Sequence, residues 1–413
     1  KKNTSPKGPC YGANMNPFGT LVSADDALDI ILAKLKPVSG VETVKLEDAA
    51  GCVLAEDVKS TVFVPAFDRA AMDGYAVIAE DLHEPAMLKV VGAAFAGKPY
   101  KGVLKRGECV EIATGAPIPK GADAVVMVES VQVVGQAVQF KQPARQGDHI
   151  TRKGEDIAKN DTVVKKGTLL GPGQVAAIAI TGKARIKVFS RPEVLLFTTG
   201  DEVVAPGKPL KDGQVYDCNS FAMLTIARRA GANVTYRANV PDTEAALRKV
   251  IASGARKYDL IVFSGGTSVG NKDFGAEVID HLGDVYVRGV AIKPGKPVLF
   301  GVVSNCGVFG MPGYPTSCLL TAELFLAPAV RKLAHNEDTS RVRLSAKLGH
   351  EIKQDKTKQQ IVPVRVDENE VAWSTFKGSG SITSLSQSVG FISIDAGDGV
   401  IAKGADLVVN VIR

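Results

Sequence analysis

The sequence predicts a multidomain α/β and β protein: an α/β domain with a mostly parallel sheet, a β-rich insertion, a split helical part and a C-terminal β domain. Three observations carry that reading. Residues 193–334 alternate short apolar runs with amphipathic helical stretches, the pattern of parallel strands joined by helices. Residues 42–185 and 340–413 carry short β-like runs separated by turn chemistry. The length, 413 residues, corresponds to roughly two to four domains.

The elements follow in order. Ser23-Ala-Asp-Asp26 is a capping-box-like start, and Leu28, Ile31, Leu32 and Leu35 recur at helical spacing, so a helix is expected over 24–35, ended by Pro37 and Gly40. Strands are expected at Cys109–Ala113, at Ala124–Val128 and on both sides of Gly135 between Val131 and Phe140. A helix is expected over Gly173–Ile180. In the α/β part, strands are expected at 194–197, 232–238, 260–263, 285–290, 298–303 and 308–311. Helix faces are marked by Met223, Ile226, Ala227 and Ala230, by Leu247, Val250 and Ile251, and by Val278, Ile279 and Leu282. A long helix from about Thr316 to Leu333 is expected to kink at Pro328. Strands at 341–348, 360–366, 371–375, 391–394 and 407–412, with a turn at Glu368-Asn369-Glu370, make a small barrel or sandwich.

Composition excludes several classes. With 45% hydrophobic and 23% charged residues the chain is neither collagen, coiled coil nor wholesale disorder, and 42 glycines favour turns. The net charge of +6 is mild, and the densest basic stretch, Arg341 to Lys358, also holds Glu351 and Asp355, so it reads as a solvated face. No nucleic-acid partner is expected. No membrane is expected either, because no apolar run approaches the ~18 residues a spanning helix needs. Cys10, Cys52, Cys109, Cys218, Cys306 and Cys318 form no C-x-x-C pair, and a chain this long folds without disulfides, which suits reduced thiols in a cytoplasm. Residues 1–20 lack an apolar signal core and read as a disordered tail. His83, His149, His281, His335 and His350 are scattered and take no role, and Trp373 reads as packing.

The chemistry is expected in loops that directly follow strands of the α/β part. These are Thr198-Thr-Gly-Asp-Glu202, Pro241-Asp-Thr243, Ser264-Gly-Gly-Thr-Ser-Val-Gly270 with Asn271-Lys-Asp273, Lys293-Pro-Gly-Lys296, and Met311-Pro-Gly-Tyr-Pro-Thr-Ser317. In open α/β sheets ligands bind outside the carboxyl ends of the strands, where these loops converge. The 264–270 loop combines three glycines with three hydroxyl residues, so backbone N–H groups can form an anion nest with hydroxyls beside it. A structural turn is the plain alternative. No G-x-G-x-x-G occurs, and Gly92–Lys98 misses the phosphate-loop pattern because Pro99 stands where a hydroxyl belongs. Lys293 and Lys296 bracket a rigid Pro-Gly turn, which fits a fixed oxyanion site, against the alternative of two surface lysines. Asp201, Glu202, Asp242 and Asp273 would repel that anion unless a hard cation such as Mg²⁺ lay between, while helix capping accounts for any one of them alone. These residues reach an α/β enzyme with a phosphate or oxyanion site, with a phosphosugar or sugar-nucleotide enzyme among the alternatives.

Seven motifs in register extend this. Phe67-Asp-Arg-Ala-Ala-Met-Asp-Gly-Tyr-Ala76, Thr114-Gly-Ala-Pro117, Gly154-Glu-Asp156, Thr199-Gly-Asp-Glu202, Ser264–Gly270, Lys293-Pro-Gly-Lys-Pro297 and Pro312-Gly-Tyr-Pro315 follow one another along the chain. Together they resemble the molybdopterin molybdenumtransferase family: bacterial MoeA proteins, the E domain of the plant molybdenum insertase and the gephyrin E domain. The resemblance covers about residues 20–413.

The resemblance implies a helical linker domain split between 21–60 and 151–188, a β-rich insertion domain at 61–150, a molybdopterin-binding α/β domain at 189–336 and a C-terminal β-barrel at 337–413. It implies insertion of molybdenum from molybdate into adenylylated molybdopterin with release of AMP, in a homodimer served by a molybdopterin adenylyltransferase and delivering to molybdoenzyme acceptors. Asp273 would be essential to adenylyl cleavage, with Mg²⁺ on Asp242, Asp273 and Glu202. Lys293 and Lys296 would neutralise the oxyanion. Ser264, Gly265, Gly266, Ser268 and Gly270 would hold the pterin phosphate. Thr199, Gly200, Asp201, Pro312, Gly313 and Ser317 would line the same site, and Ser379 would reach molybdate from the barrel. Asp73, Thr114 and Asp156 would join it from the N-terminal modules. Tyr314 stands where the family more often has Asn, and Thr267 where Val is common, which keeps tungstate open as the oxyanion. A gephyrin-like scaffold that binds partner peptides is the alternative from another class.

Overall fold

The computed structural model describes residues 21–237, 239–265, 274–337 and 342–412. They form two compact units. One comprises residues up to Glu42, Gly51–Val53 and Val188 onward; the other comprises Thr43–Ala50 and Leu54–Lys187.

The second unit is built on a six-stranded sheet: β1 (Gly74–Val77), β2 (Ala86–Ala94), β3 (Glu108–Ile112), β4 (Ala124–Met127), β5 (Val131–Val134) and β6 (Ala137–Phe140), in the order β4-β1-β3-β2-β6-β5. The β5–β6 hairpin turns at Gly135, as its sequence requires. Alternate residues enter different cores: Tyr75 and Val77 pack with Phe140, while Ala76 packs with Val110 and Val125. A sheet covered on both faces explains the near-continuous burial of β1. Helix α2 of this unit runs over Pro172–Ala179, with Pro172 at its first position and Gln174 accepting from the Gly171 N–H at 3.1 Å.

The first unit begins with helix α1 (Ala24–Lys34), capped as expected by the Ser23 hydroxyl, which accepts from Asp26 N at 3.1 Å. Its α/β sheet contains β7 (Glu193–Thr198), β8 (Asn233–Tyr236), β9 (Leu260–Ser264), β10 (Asp284–Arg288), β12 (Leu299–Val303) and β13 (Cys306–Met311); the two-residue strand β11 (Ile292–Lys293) lies outside it. The sheet order is β8-β7-β9-β13-β12-β10. The first four strands are parallel; at one edge β12 returns antiparallel beside β13, and β10, antiparallel to β12, again runs in the direction of the first four. Val194 and Leu196 face a core shared with α1, α3 (Asn219–Arg229) and the 315–333 helix, while Leu195 and Phe197 face one shared with α4 (Glu244–Gly254) and α5 (Phe274–Leu282). This two-sided burial is why the strands read as unbroken apolar runs rather than alternating ones.

The 315–333 helix corrects one expectation. It runs as α6 (Pro315–Thr321), a π-helical turn over Ala322–Leu326 and α7 (Ala327–Leu333), so the irregularity precedes Pro328. Pro328 has no N–H to offer the preceding turn and its ring crowds that turn's carbonyl, and the wider π turn takes up both.

The C-terminal strands β14 (Arg343–Leu348), β15 (Gln359–Val366), β16 (Val371–Ser374), β17 (Gly390–Ile394) and β18 (Asp406–Val411) settle the choice between barrel and sandwich. They close in the order β15-β16-β14-β18-β17 and back to β15, a five-stranded barrel around Leu348, Val364, Ala372, Ile392 and Val409. β11 adds to β15 in parallel, tying the barrel to the edge loop of the α/β sheet.

Candidate active site

The carboxyl ends of β7, β9 and β13 meet in a buried polar cluster. Thr198, Thr199, Asp217, Asn219, Ser220, Ser264, Thr316 and Ser317 are all buried there. Asp217 accepts from Thr198 Oγ1 at 3.1 Å, from Ser220 N at 2.9 Å and from Tyr236 OH at 3.3 Å. Burial, and then the Asp217 charge, raises the Tyr236 hydroxyl above its ordinary pKa. Asn219 donates from Nδ2 to Ser264 Oγ at 2.9 Å and to the Gly313 carbonyl at 2.7 Å. Ser264 Oγ donates to the Pro312 carbonyl at 3.1 Å. Among the described residues, the buried hydroxyls of Thr199 and Ser220 and the Asn239 carbonyl oxygen have no hydrogen-bond partner. Orphaned buried polar atoms are rare in folded proteins, and a site for a polar ligand accounts for a group of them.

The loops around this cluster are fixed by backbone geometry. Gly265 has φ +97°, and a Cβ there would lie 2.5 Å from the Thr199 carbonyl oxygen, so only glycine fits between these two strand ends. Asn239 Nδ2 donates to the carbonyls of Gly200 at 2.7 Å and Val203 at 3.2 Å, joining the loop of Asp201 and Glu202 to the loop of Asp242. Glu202 and Asp242 offer hard carboxylate oxygens there, a donor type that suits Mg²⁺. Asp273, the third expected ligand, lies outside the described residues, as do Gly266, Ser268 and Gly270. Among the described residues no three His, Cys, Asp or Glu side chains are grouped to hold a metal.

The lysine loop joins the C-terminal end of β10 to the N-terminal end of β12, which lies at the same edge as the ends of the parallel strands. Gly295, with φ +114°, is pressed against α6: a Cβ there would lie 2.5 Å from Thr321 Cγ2. Lys293 Nζ is 3.2 Å from Asp355 Oδ2 of the barrel. The Thr357 N–H first, and then the hydrogen bond from Lys293, hold the Asp355 carboxyl below its ordinary pKa. Lys293 thus faces a protein carboxylate that sequence reasoning did not foresee. The barrel also reaches α6. Thr316 N donates to the Ser379 carbonyl at 2.9 Å and Thr316 Oγ1 to the Ser381 carbonyl at 2.6 Å.

In the other unit, three motif segments are stitched into one loop cluster. Gly115 N donates to Ala70 O, Ala70 N to Ala116 O, and Gly154 N to Pro65 O. Asp73 Oδ1 accepts from Thr114 N at 2.6 Å and Thr114 Oγ1 at 2.8 Å; these two bonds, the backbone one first, lower the Asp73 pKa. Asp68 accepts from Arg152 Nη1 and from Lys153 N, each at 2.8 Å. Asp156 N donates to Val64 O at 3.1 Å. Asp73, Thr114 and Asp156 thus belong to one linked loop cluster of this unit, and Phe63, Phe67 and Met72 are exposed in its first segment.

Comparison with known families decides the class. Three family models match in order: "MoeA N-terminal region (domain I and II)" over residues 22–182, "Probable molybdopterin binding domain" over 195–332, and "MoeA C-terminal region (domain IV)" over 345–412. A molybdopterin molybdenumtransferase of Haemophilus influenzae is 37% identical over 314 residues, 76% of this chain and 78% of that protein. The chain belongs to the MoeA family.

Other members agree. The Bacillus subtilis molybdopterin molybdenumtransferase is 32% identical over 386 residues, 90% of each chain. A crystal structure of a molybdopterin biosynthesis MoeA protein from Pyrococcus horikoshii is 36% identical, with TM-score 0.79, covering 95% of this chain and 99% of that one. Against the MoeA fold, what sequence reasoning missed is the segment Asp217-Cys218-Asn219-Ser220. It lies in the same crossover as the Thr199–Glu202 loop, runs into the first turn of α3 and follows a short parallel pairing of Val203–Val204 with Val215–Tyr216. Its signal was available: four polar or thiol residues opening a helix that follows the first parallel strand.

Proposed function

We propose that this MoeA-family chain is a molybdenum insertase of molybdenum cofactor biosynthesis. It takes adenylylated molybdopterin and molybdate, with tungstate as the alternative oxyanion, and gives molybdenum cofactor and AMP. The observation that carries this reading is the buried polar cluster at the ends of β7, β9 and β13, with its unpartnered Thr199 and Ser220 hydroxyls, inside the region matched by the molybdopterin-binding family. The names of its relatives support the same reaction class.

The residues divide the work. The β9-end loop, from Ser264 through Gly270, holds the pterin phosphate through backbone N–H groups, and Pro312, Gly313 and Ser317 line the neighbouring helix entry. Thr199, Gly200 and Asp201 form the adjoining wall. Lys296 and Lys293 balance the charge of the oxyanion dianion. Ser379 reaches it from the barrel loop that meets Thr316. Glu202, Asp242 and Asp273 would hold Mg²⁺, which would supply charge neutralisation to the bound phosphates. Asp273 is the residue on which adenylyl cleavage depends. In the insertion, two dithiol sulfurs take positions on molybdenum, and one molybdate oxygen leaves as water with the two thiol protons. Sulfur is a soft donor, which is what molybdenum selects.

The protein works as a cytoplasmic homodimer in which Asp73, Thr114 and Asp156 of one subunit complete the site of the other. The exposed, backbone-stitched loops that carry them support this, because a two-fold contact presents the same face reciprocally. The four-part division at 21–60 with 151–188, 61–150, 189–336 and 337–413 is part of this proposal, as are a molybdopterin adenylyltransferase supplying the substrate and molybdoenzymes receiving the product. Among the described residues, no helix is long and apolar enough to cross a membrane. The test is AMP release from adenylylated molybdopterin on addition of molybdate and Mg²⁺. A purified chain that binds the pterin but releases no AMP would leave the scaffold alternative standing.

A further inference from the structure

We infer that Asn219 is a positioning residue that holds the carboxyl ends of β9 and β13 at the spacing the pterin substrate requires, acting through Ser264 and the Gly313 carbonyl. The kinetic arm of its test rests on the insertase reading; the structural arm does not.

The hydrogen-bond arithmetic at Ser264 leads here. A serine hydroxyl has one proton and two lone pairs. The proton goes to the Pro312 carbonyl at 3.1 Å. One lone pair receives Asn219 Nδ2 at 2.9 Å. The Ser264 hydroxyl therefore has its proton committed within the protein. It has no proton to give a phosphate, although its place at the end of a strand and the head of a glycine-rich loop suggests a ligand. Ser264 instead transmits the position of its neighbours.

The amide orientation follows from the partners. The Gly313 carbonyl can only accept, and Ser264 Oγ has already spent its proton, so both must face the NH₂ side of Asn219. Both amide hydrogens are used, one on each loop. Asn219 is buried at the start of α3, and its neighbour Asp217 anchors that start to β7 through Thr198 and to β8 through Tyr236. One short segment thus ties the ends of four parallel strands, and Asn219 is its link to the ends of β9 and β13.

Asn219→Asp keeps the shape and replaces two donors by an acceptor. Asn219→Ala removes both donors. Hydrogen–deuterium exchange of the whole protein should show lost protection in segments 261–265 and 311–316 together, at least tenfold faster in both variants, with the C-terminal barrel strands unchanged. The KM for adenylylated molybdopterin should rise at least tenfold while kcat changes less than threefold. The Asp variant should also regain activity as pH falls, because a protonated carboxyl restores one O–H donor, and the Ala variant should not. The titratable groups around position 219 are Asp217, Tyr236, Cys218 and Cys318, and all are present in wild type and in the Ala variant, so a limb seen only in Asn219→Asp belongs to the new carboxyl. Unchanged exchange in both loop segments overturns the inference, whatever the kinetics. Lost protection in both with an unaltered KM overturns the kinetic role. If wild type releases no AMP, the insertase reading fails and the exchange result alone decides whether Asn219 holds the loops.

Discussion

The two motif-bearing regions are held together by opposite means. At the ends of β7, β9 and β13, side chains are buried and bonded to one another: Asp217 to Thr198 and Tyr236, Asn219 to Ser264. In the loop cluster around Asp73, backbone bonds from Gly115 to Ala70 and Gly154 to Pro65 are joined by surface side-chain bonds, Asp68 to Arg152 and Lys153, and the Asp73 side chain stays at the surface on Thr114. A buried side-chain network couples function to stability, because removing one member strands the others in a dry interior. A backbone-stitched loop separates the two, so its exposed acids can change without unfolding anything.

The largest expected effect separates these regions by complementation. Asp273→Asn should lower AMP release at least about 100-fold, in the range for loss of a group acting in the transition state, and Asp73→Asn should also inactivate. Mixed and refolded together, the two variants should recover activity, since one site of a heterodimer then carries both defects and the other none. Confirmed subunit exchange without recovery would show that both residues serve one site from one chain, and the loop cluster would lose its proposed role.

Stability should split the same way. Asp217→Ala leaves Thr198 Oγ1, Tyr236 OH and Ser220 N without their acceptor, at a cost of about 3 kcal/mol from stranded donors. Denaturant unfolding measures it. Asp73→Ala should leave the unfolding midpoint where it was. Equal destabilisation by the two would erase the contrast.

Within the first unit the lysines sharpen it further. Lys296→Ala and Lys293→Ala should each weaken molybdate or tungstate binding by about 1.5–3 kcal/mol, the range for hydrogen bonds to charged groups. Calorimetric titration with the oxyanion gives both numbers, and no change in either would make them surface charges.

The smallest effect is the pH response of the loop cluster. The Asp73 carboxyl lies below its ordinary 3.8 because Thr114 donates to it twice. A lowered carboxyl pKa means that its contribution is fully present above the ordinary value and is lost only as pH falls through the lower folded value. Thr114 N–H protection should therefore persist down to pH 3.8 and fall below it. Loss of protection at higher pH would mean that the Asp73–Thr114 pair does not hold the loop.

Much of this molecule was legible in its residues. Ser23 capping α1, the apolar runs of β7, β9 and β13, and the hairpin at Gly135 all follow from local chemistry, because a cap, a turn or a buried strand is decided by residues close in sequence. The motifs were legible too, since glycine, proline and acid at short spacing mark a loop wherever the chain later carries it.

What the sequence could not decide was partnership. Asp217 and Asn219 looked like ordinary residues at a helix start, and only the folded sheet brings them against Ser264, Gly313 and Tyr236, up to 94 residues away. Asp355 sits in a basic stretch that reads as solvated surface, yet β11 joins the barrel and sets it on Lys293. Strand patterning alone left barrel and sandwich equal, and the barrel that the family resemblance implied closes where β15 and β17 pair. The physical reason is the same in each case: the sequence specifies each residue's donors, acceptors and charge, but which acceptor meets which donor depends on long-range strand register, and register is settled only when the cores on both faces close.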